Sequence, residues 1–309
     1  MRRRNKGIHA ALLSAFFLGM APILGKQAIL SGLPPLAVVA LRTLFAFLLL
    51  FFLIALFKRP YLRIYSLGLV GCLLAGAING TGSLFYYSAL GRIDAGIGQL
   101  LYSLYPLFVA FWLWLDKQPP SKLTLLRIGL AIPAVALLSL GGTHHVDFIG
   151  MGIMLLAAAL YALHLPVNQR VLYDVPAPTV TLYTLLAMSM VVVPAFLILG
   201  PVQLPTTRAT LWPVVGLTLV TFFSRLTLFL GVKHIGGMQT ALLGLGELLV
   251  TLAFSHWWLH ESLTLLQWLG AALLGLTLLL TGLEKPNPHP ARNPQGGWLS
   301  WISPGGFRR

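Results

Sequence analysis

Long apolar runs, separated at regular intervals by short clusters of Pro, Gly and charge, set the pattern of this chain. They occupy about residues 8–30, 34–57, 66–90, 94–115, 123–140, 149–169, 178–200, 210–231, 237–259 and 263–283. Each is near the roughly 20 residues that carry an α-helix across about 30 Å of hydrocarbon. The interruptions, among them SGLPP, KRPYLR, DKQPPSK, GGTHHVD, DVPAP, LGPVQLPTT and KHIGG, have the composition of turns. Apolar residues run continuously instead of alternating, which argues for helices and against the strands of an outer-membrane barrel. The pattern predicts an all-α membrane protein with ten transmembrane helices. The run from Ile8 to Leu30 is too long for a signal peptide and has no small-residue cleavage site, so it reads as the first span.

Polar residues inside these spans fall at helical spacing. In the ninth, Thr240, Gly244, Glu247, Thr251 and Ser255 share one stripe. Asn79, Ser83, Tyr86 and Tyr87 do so in the third, and Tyr161, His164 and Asn168 in the sixth. The fourth has Gln99, Tyr102, Ser103 and Tyr105 around Pro106, and the eighth has Thr218, Thr221 and Arg225. Spans five and ten are nearly bare. Taken together, the stripes predict a central cavity among spans three, four, six, eight and nine, with five and ten at the periphery. A single Ser, Thr or Asn needs no more than an interhelical hydrogen bond to explain it, worth about 0.6 kcal/mol. Pro106 removes a backbone hydrogen bond in mid-span and predicts a kink, either a hinge or a static bend.

Composition agrees with this pattern: 57% of residues are hydrophobic, 9% are charged and the mean hydropathy is +0.85. A water-soluble globule is excluded. The net charge of +14 comes from 21 Lys and Arg against 7 Asp and Glu. Its distribution follows the loops and forms no patch with interleaved aromatics, which argues against nucleic acid. With the N-terminus inside, the inner segments hold Arg2, Arg3, Arg4, Lys6, Lys58, Arg59, Arg63, Lys117, Lys122, Arg127, Arg170, Lys233, Lys285, Arg292, Arg308 and Arg309, the outer loops only Arg92 and Arg208, and Lys26, Arg42 and Arg225 fall inside spans. The positive-inside rule therefore predicts both termini in the cytoplasm. The only cysteine, Cys72, excludes an intrachain disulfide and reads as a small buried side chain. From Glu284 to Arg309 the chain is rich in Pro and Gly and reads as an unstructured cytoplasmic tail, while residues 1–7 read as a basic cytoplasmic head.

The chain repeats itself. SALGRIDAGIGQLLYSLYPLFVAFWLWL has a partner in LGVKHIGGMQTALLGLGELLVTLAFSHWWL. Setting Ala95 on Gly237 brings Arg92 onto His234, Ile93 onto Ile235, Tyr105 onto Glu247 and Pro106 onto Leu248. Each copy is followed by a similar closing helix, KLTLLRIGLAIPAVALLSL and SLTLLQWLGAALLGLTLLL. A repeat of five helices is odd, so its two copies, about 8–142 and 149–283, must lie inverted in the bilayer. That is the arrangement of secondary transporters with a midplane site.

With these stretches the sequence resembles the drug/metabolite transporter superfamily, in particular the ten-helix EamA-type permeases. The resemblance rests on FFLGMAPILGKQAILSGLPPLAVVALRTLFAF, on YSAL…IDAG…YPLFVAF, and on HIGGMQTALLGLGELLVTLAFSHWWLHESLTLLQWLGAALL, and it covers about residues 8–283. The chain departs from the family where Pro119 replaces the acidic residue that usually ends the fourth helix, while Glu261 keeps the counterpart position. Leu248 likewise follows Glu247 where the family often has proline. The resemblance implies a cytoplasmic-membrane permease, usually an exporter of amino acids or other small metabolites, with no cofactor.

An ionisable group at membrane depth costs several kcal/mol unless paired or hydrated, about 2.5 to 3.5 on insertion scales, so each one is a candidate for function. Glu247 reads either as a proton carrier and counter-ion to a substrate ammonium, or as the structural partner of a buried Arg. Arg225 reads as a fork for a substrate carboxylate or as that partner. Lys26 and Arg42 lie where long side chains can snorkel to headgroups. The candidate substrate-binding set is Glu247, Arg225, Asn79, Tyr86, Tyr102, Tyr105, His164, Thr221 and Gln99, with Glu247 the proton-coupling candidate. Few basic residues at depth favour a neutral or zwitterionic small molecule over a sugar phosphate, though carriers of sugars and phosphorylated metabolites belong to the same superfamily. His144, His145 and Asp147 make the only metal-like cluster, with too few ligands for a site. No hydrolase or nucleotide-binding motif argues for an enzyme, and no filter or charge ring argues for a channel. The sequence is compatible with a monomer or a homodimer.

Overall fold

The computed structural model describes residues 2–90, 92, 101–139, 147–200, 208–258, 264–280, 297–299 and 302. Among the described residues every regular element is helical. These are α1 (Arg2–Leu30), α2 (Pro35–Phe57), a 3₁₀ turn (Arg59–Leu62), α3 (Ser66–Leu90), α4 (Tyr105–Leu115), α5 (Lys122–Ser139) and α6 (Phe148–Leu172). They continue with α7 (Ala177–Leu199), α8 (Arg208–Ile235), α9 (Gly237–Gly244), α10 (Gly246–Trp258) and α11 (Leu265–Leu279). Six of them are long and apolar enough to cross a membrane: α1, α2, α3, α6, α7 and α8. The helices begin where local chemistry dictates. Prolines Pro35 and Pro176 fix the entries of α2 and α7. Asp147 caps α6, its carboxylate accepting from the N–H groups of Ile149 (2.9 Å) and Gly150 (3.2 Å).

Packing interleaves the two repeats. The most extensive contacts join α1 to α8 and α3 to α6, that is, the first helix of each repeat to the third of the other. Second packs on second (α2 with α7) and fifth on fifth (α5 with α11). The apolar faces left over, such as Leu56 and Phe57 on α2, Leu197 to Leu199 on α7 and Leu265 and Leu279 on α11, are exposed and suit a lipid surround. The core is built from small residues in close contact, including Ala75, Ala134, Ala157, Ala158 and Ala162, all fully buried, as helix packing in lipid favours.

The sequence reading needs correction at several points. The basic head does not precede the first helix, because α1 runs back to Arg2. Arg127, counted with the inner loops, is fully buried. Its Nε donates to the Thr277 carbonyl at 3.1 Å and its Nη1 to Gln239, tying α5 to α11 and α9. The ninth predicted span is two helices, α9 and α10, separated at Leu245 within the Gly244-Leu245-Gly246 triplet, because paired glycines give a helix little reason to continue. The fourth is likewise interrupted by a turn at Ser103–Leu104 before α4. Shifted by the repeat spacing, that turn falls on Leu245 and Gly246, so both copies break at the same place. The tail read as unstructured also contains docked residues, since Leu299 and Ile302 are fully buried.

Candidate functional site

The broken helices meet beside a cavity of about 100 Å³. Leu18 and Ala21 of α1 line it, with Arg42 of α2, Ser83, Tyr86 and Tyr87 of α3, Tyr102, Tyr161 of α6, Arg225 of α8, and Glu247 and Thr251 of α10. Tyr86, Tyr102 and Tyr161 form an aromatic wall, ring to ring at 4.8 and 5.4 Å. Small-molecule sites usually measure about 300 to 1,000 Å³, so this is a contracted chamber.

Glu247 sits in the first turn of α10, where the break exposes the helix's positive end. Thr251 fixes that turn, its hydroxyl meeting the carbonyls of Glu247 (2.9 Å) and of Gly19 on α1 (3.0 Å). Among the described residues no ion pair within 4.0 Å joins Glu247 to an arginine. The two arginines of the cavity differ. Arg225 is largely committed: its Nη1 and Nη2 donate to the Asn79 amide oxygen at 3.1 and 3.2 Å once that amide is oriented to accept them, and its guanidinium lies 5.8 Å from the Tyr161 ring centre. Arg42 stands 5.6 Å over the Tyr87 ring, and its buried Nε has no hydrogen-bond partner.

Four of the nine residues in the candidate substrate-binding set therefore line the cavity, Glu247, Arg225, Tyr86 and Tyr102, together with the stripe members Ser83, Tyr87, Tyr161 and Thr251 and with Arg42. Asn79 stands behind Arg225. Tyr105 is 3% exposed and its hydroxyl donates to the Ala241 carbonyl at 2.8 Å, so it braces α9 and is not among the lining residues. In an unbroken helix that carbonyl would receive the Leu245 N–H, and the break leaves it to the tyrosine. A Cβ at Gly244 would fall on the Tyr105 hydroxyl, so the brace requires glycine there. His164 is fully buried, bonded through Nδ1 to the Tyr161 carbonyl and packed on the Tyr161 ring at 4.8 Å. Thr221 is buried on α8 and is not a lining residue. Gln99 lies outside the described residues. Of the HHVD cluster, His144 and His145 also lie outside them, while Asp147 is occupied as the cap of α6 and as the partner of Arg92 at 3.4 Å. Its carboxyl is held below the usual range by the N–H groups of Gly150 and Ile149 and by Arg92.

Arg42 is the cavity residue that the sequence left divided between headgroup and site. The signal was its depth: seven residues inside α2 is about 10 Å along the axis, far for a side chain that only reaches the surface.

Interleaved apolar helices, two of them broken at matching points around a cavity with charges of both signs, define a polytopic helical membrane protein built like secondary transporters. The chain belongs to the EamA-like transporter family, whose sequence profile matches residues 5–140 and again 148–283. Over 216 residues it is 26% identical to an uncharacterized transporter of Synechocystis sp.. That match covers 67% of this chain and 64% of the relative, so the chain spans less than two thirds of the relative's length. A solved crystal structure of a protein superposes with a TM-score of 0.76 at 15% identity, covering 91% of this chain and 97% of that one, a likeness of fold. The family is one of transporters, not of enzymes.

Proposed function

We infer that this protein is a secondary transporter that moves a small carboxylate-bearing metabolite, an amino acid or a similar zwitterion, out of the cell by alternating access. Ten spans, both termini in the cytoplasm, and two inverted halves at 8–142 and 149–283 complete the reading. The observation that carries it is the uncommitted charge of the cavity: Glu247 in no ion pair among the described residues, and Arg42 with an unpartnered Nε. Charge held at membrane depth without an ion pair is costly to keep unless a ligand or water supplies a partner. Arg42 takes the carboxylate and Glu247 the ammonium or, between substrate cycles, a proton. Arg225, held by Asn79 and Tyr161, sets the field of the chamber. The tyrosine wall packs the substrate's apolar body. Rocking of the halves widens the chamber to admit the metabolite.

The test is transport in proteoliposomes under an imposed pH gradient. Glu247→Gln removes the gradient dependence and leaves exchange at equal pH intact. A variant that kept wild-type coupling would return Glu247 to a structural role. One observation favours a second reading: two guanidinium groups against one carboxylate give the chamber a positive excess, which suits a phosphorylated metabolite. Glu247 opposes that ligand, and faster exchange of organic phosphates than of amino acids would decide for it.

A further inference from the structure

At the end of the bundle that carries Lys117, Lys122 and Arg170, the ends of α4 and α6 are joined by a buried ion pair. Asp116, 2% exposed, accepts through Oδ2 from Arg170 Nη2 (2.6 Å) and Nε (3.2 Å), and from Gln118 Nε2 (2.8 Å). Its other oxygen, Oδ1, accepts the backbone N–H of Leu299 at 3.1 Å. The pair bridges the two repeats, since α4 belongs to the first and α6 to the second.

Around this hydrogen bond the tail is seated in apolar surroundings. Leu299 and Ile302 are both fully buried and belong to the same core cluster as Cys72, Val171 and Leu172. Ile302 lies over Gly71 of α3, where a Cβ would be 3.1 Å from its Cγ2 and 2.6 Å from that of Val171 on α6. Trp298 meets Trp112 of α4, ring centres 6.2 Å apart. A Cβ at Gly297 would land on the Asp116 carboxylate, so only glycine lets the chain pass this close. The tail thus touches α3 and α4 of one repeat and α6 of the other, and one carboxylate serves both the bridge and the tail.

We propose that Gly297, Trp298, Leu299 and Ile302 form a strap that locks this end of the bundle and must leave before the two halves can part there. Parting the halves breaks the Asp116–Arg170 pair and uncovers two apolar side chains, and the strap holds both in place. It is bound by one hydrogen bond and three side chains, Trp298, Leu299 and Ile302, so its release is a local opening that leaves the bundle folded. The lock regulates access from this side whatever the cargo.

The chain has its own reporter, the single Cys72, fully buried beside the strap. The experiment follows the rate of N-ethylmaleimide labelling of Cys72 in the full-length protein in lipid. Gly297→Val and Ile302→Asp displace the strap without altering the bundle, and each is expected to raise the rate by about tenfold or more. Rates within about twofold of the unaltered protein overturn the proposal. Should either variant fail to fold, Trp112→Cys with Trp298→Cys in a Cys72→Ser background tests the docking directly. A short bis-maleimide is expected to join the two new thiols, and absence of the cross-link overturns the proposal. No substrate enters either assay, so both stand apart from the transport reading.

Discussion

Tyr105 and Gly244 should be coupled with a sign that few pairs show. The Tyr105 hydroxyl satisfies the Ala241 carbonyl freed by the break between α9 and α10, and it occupies the place a Cβ on residue 244 would need. Tyr105→Phe leaves a buried carbonyl unpaired and should cost about 1–3 kcal/mol. Gly244→Ala alone drives the methyl into the hydroxyl and should cost about 1–3 kcal/mol by overpacking. In the double variant the obstacle is gone: the nearest remaining ring atom, Cζ, lies 3.6 Å from the new Cβ, an ordinary contact. Alanine then has the helix propensity that glycine lacks, about 1 kcal/mol. The double variant should therefore be no less stable than Tyr105→Phe, giving an interaction free energy of about −1 to −3 kcal/mol. The assay is heat or SDS unfolding of the four purified proteins in micelles, followed by tryptophan fluorescence. Costs that add to within about 0.5 kcal/mol would refute the brace.

Other outcomes follow from the same geometry. Asp116→Ala strands the buried Arg170 guanidinium and should cost about 3–5 kcal/mol of unfolding free energy, whereas a loss below about 1 kcal/mol would show that the pair is hydrated. Arg42→Gln should weaken substrate affinity by about tenfold or more through loss of a charge-assisted bond, read from the half-saturation of exchange, and unchanged affinity would move the carboxylate anchor elsewhere. The lowered carboxyl of Asp147 contributes stability that is present above the ordinary carboxylate value of about 4 and lost as pH falls through its own lower one. Asp147→Asn should therefore flatten the acid limb of the unfolding midpoint, and an unaltered acid limb would assign that limb to other groups.

Much of the architecture was legible because the repeat writes it twice. The shift that sets Tyr105 on Glu247 superposes the two helix breaks once they are seen, but the sequence alone announced only the kink at Pro106 and left the ninth span unbroken through the glycines around Leu245. The stripe carrying Glu247 and Thr251 was readable because both residues lie on α10, within one helical period. The bond that occupies the Tyr105 hydroxyl was not legible because its partner, Ala241, is a backbone carbonyl in the other half, and no periodicity marks such a bond. Asn79 and Arg225 appeared as separate stripe members for the same reason: only the side-chain bond between them, reaching from α3 to α8, makes one the orienter of the other. The docked Leu299 was hidden by composition, as a few apolar residues in a Pro- and Gly-rich tail look unstructured until the pocket that receives them is known.

The central claim is that the charged chamber carries a metabolite across the bilayer. Its most direct test is counterflow in proteoliposomes loaded in turn with amino acids, nucleosides, sugars and organic phosphates, following entry of the labelled form of each. The account predicts saturable exchange of a carboxylate-bearing class, reduced in Arg42→Gln. Folded protein that exchanged no member of the panel, or that passed solutes without saturation, would contradict it.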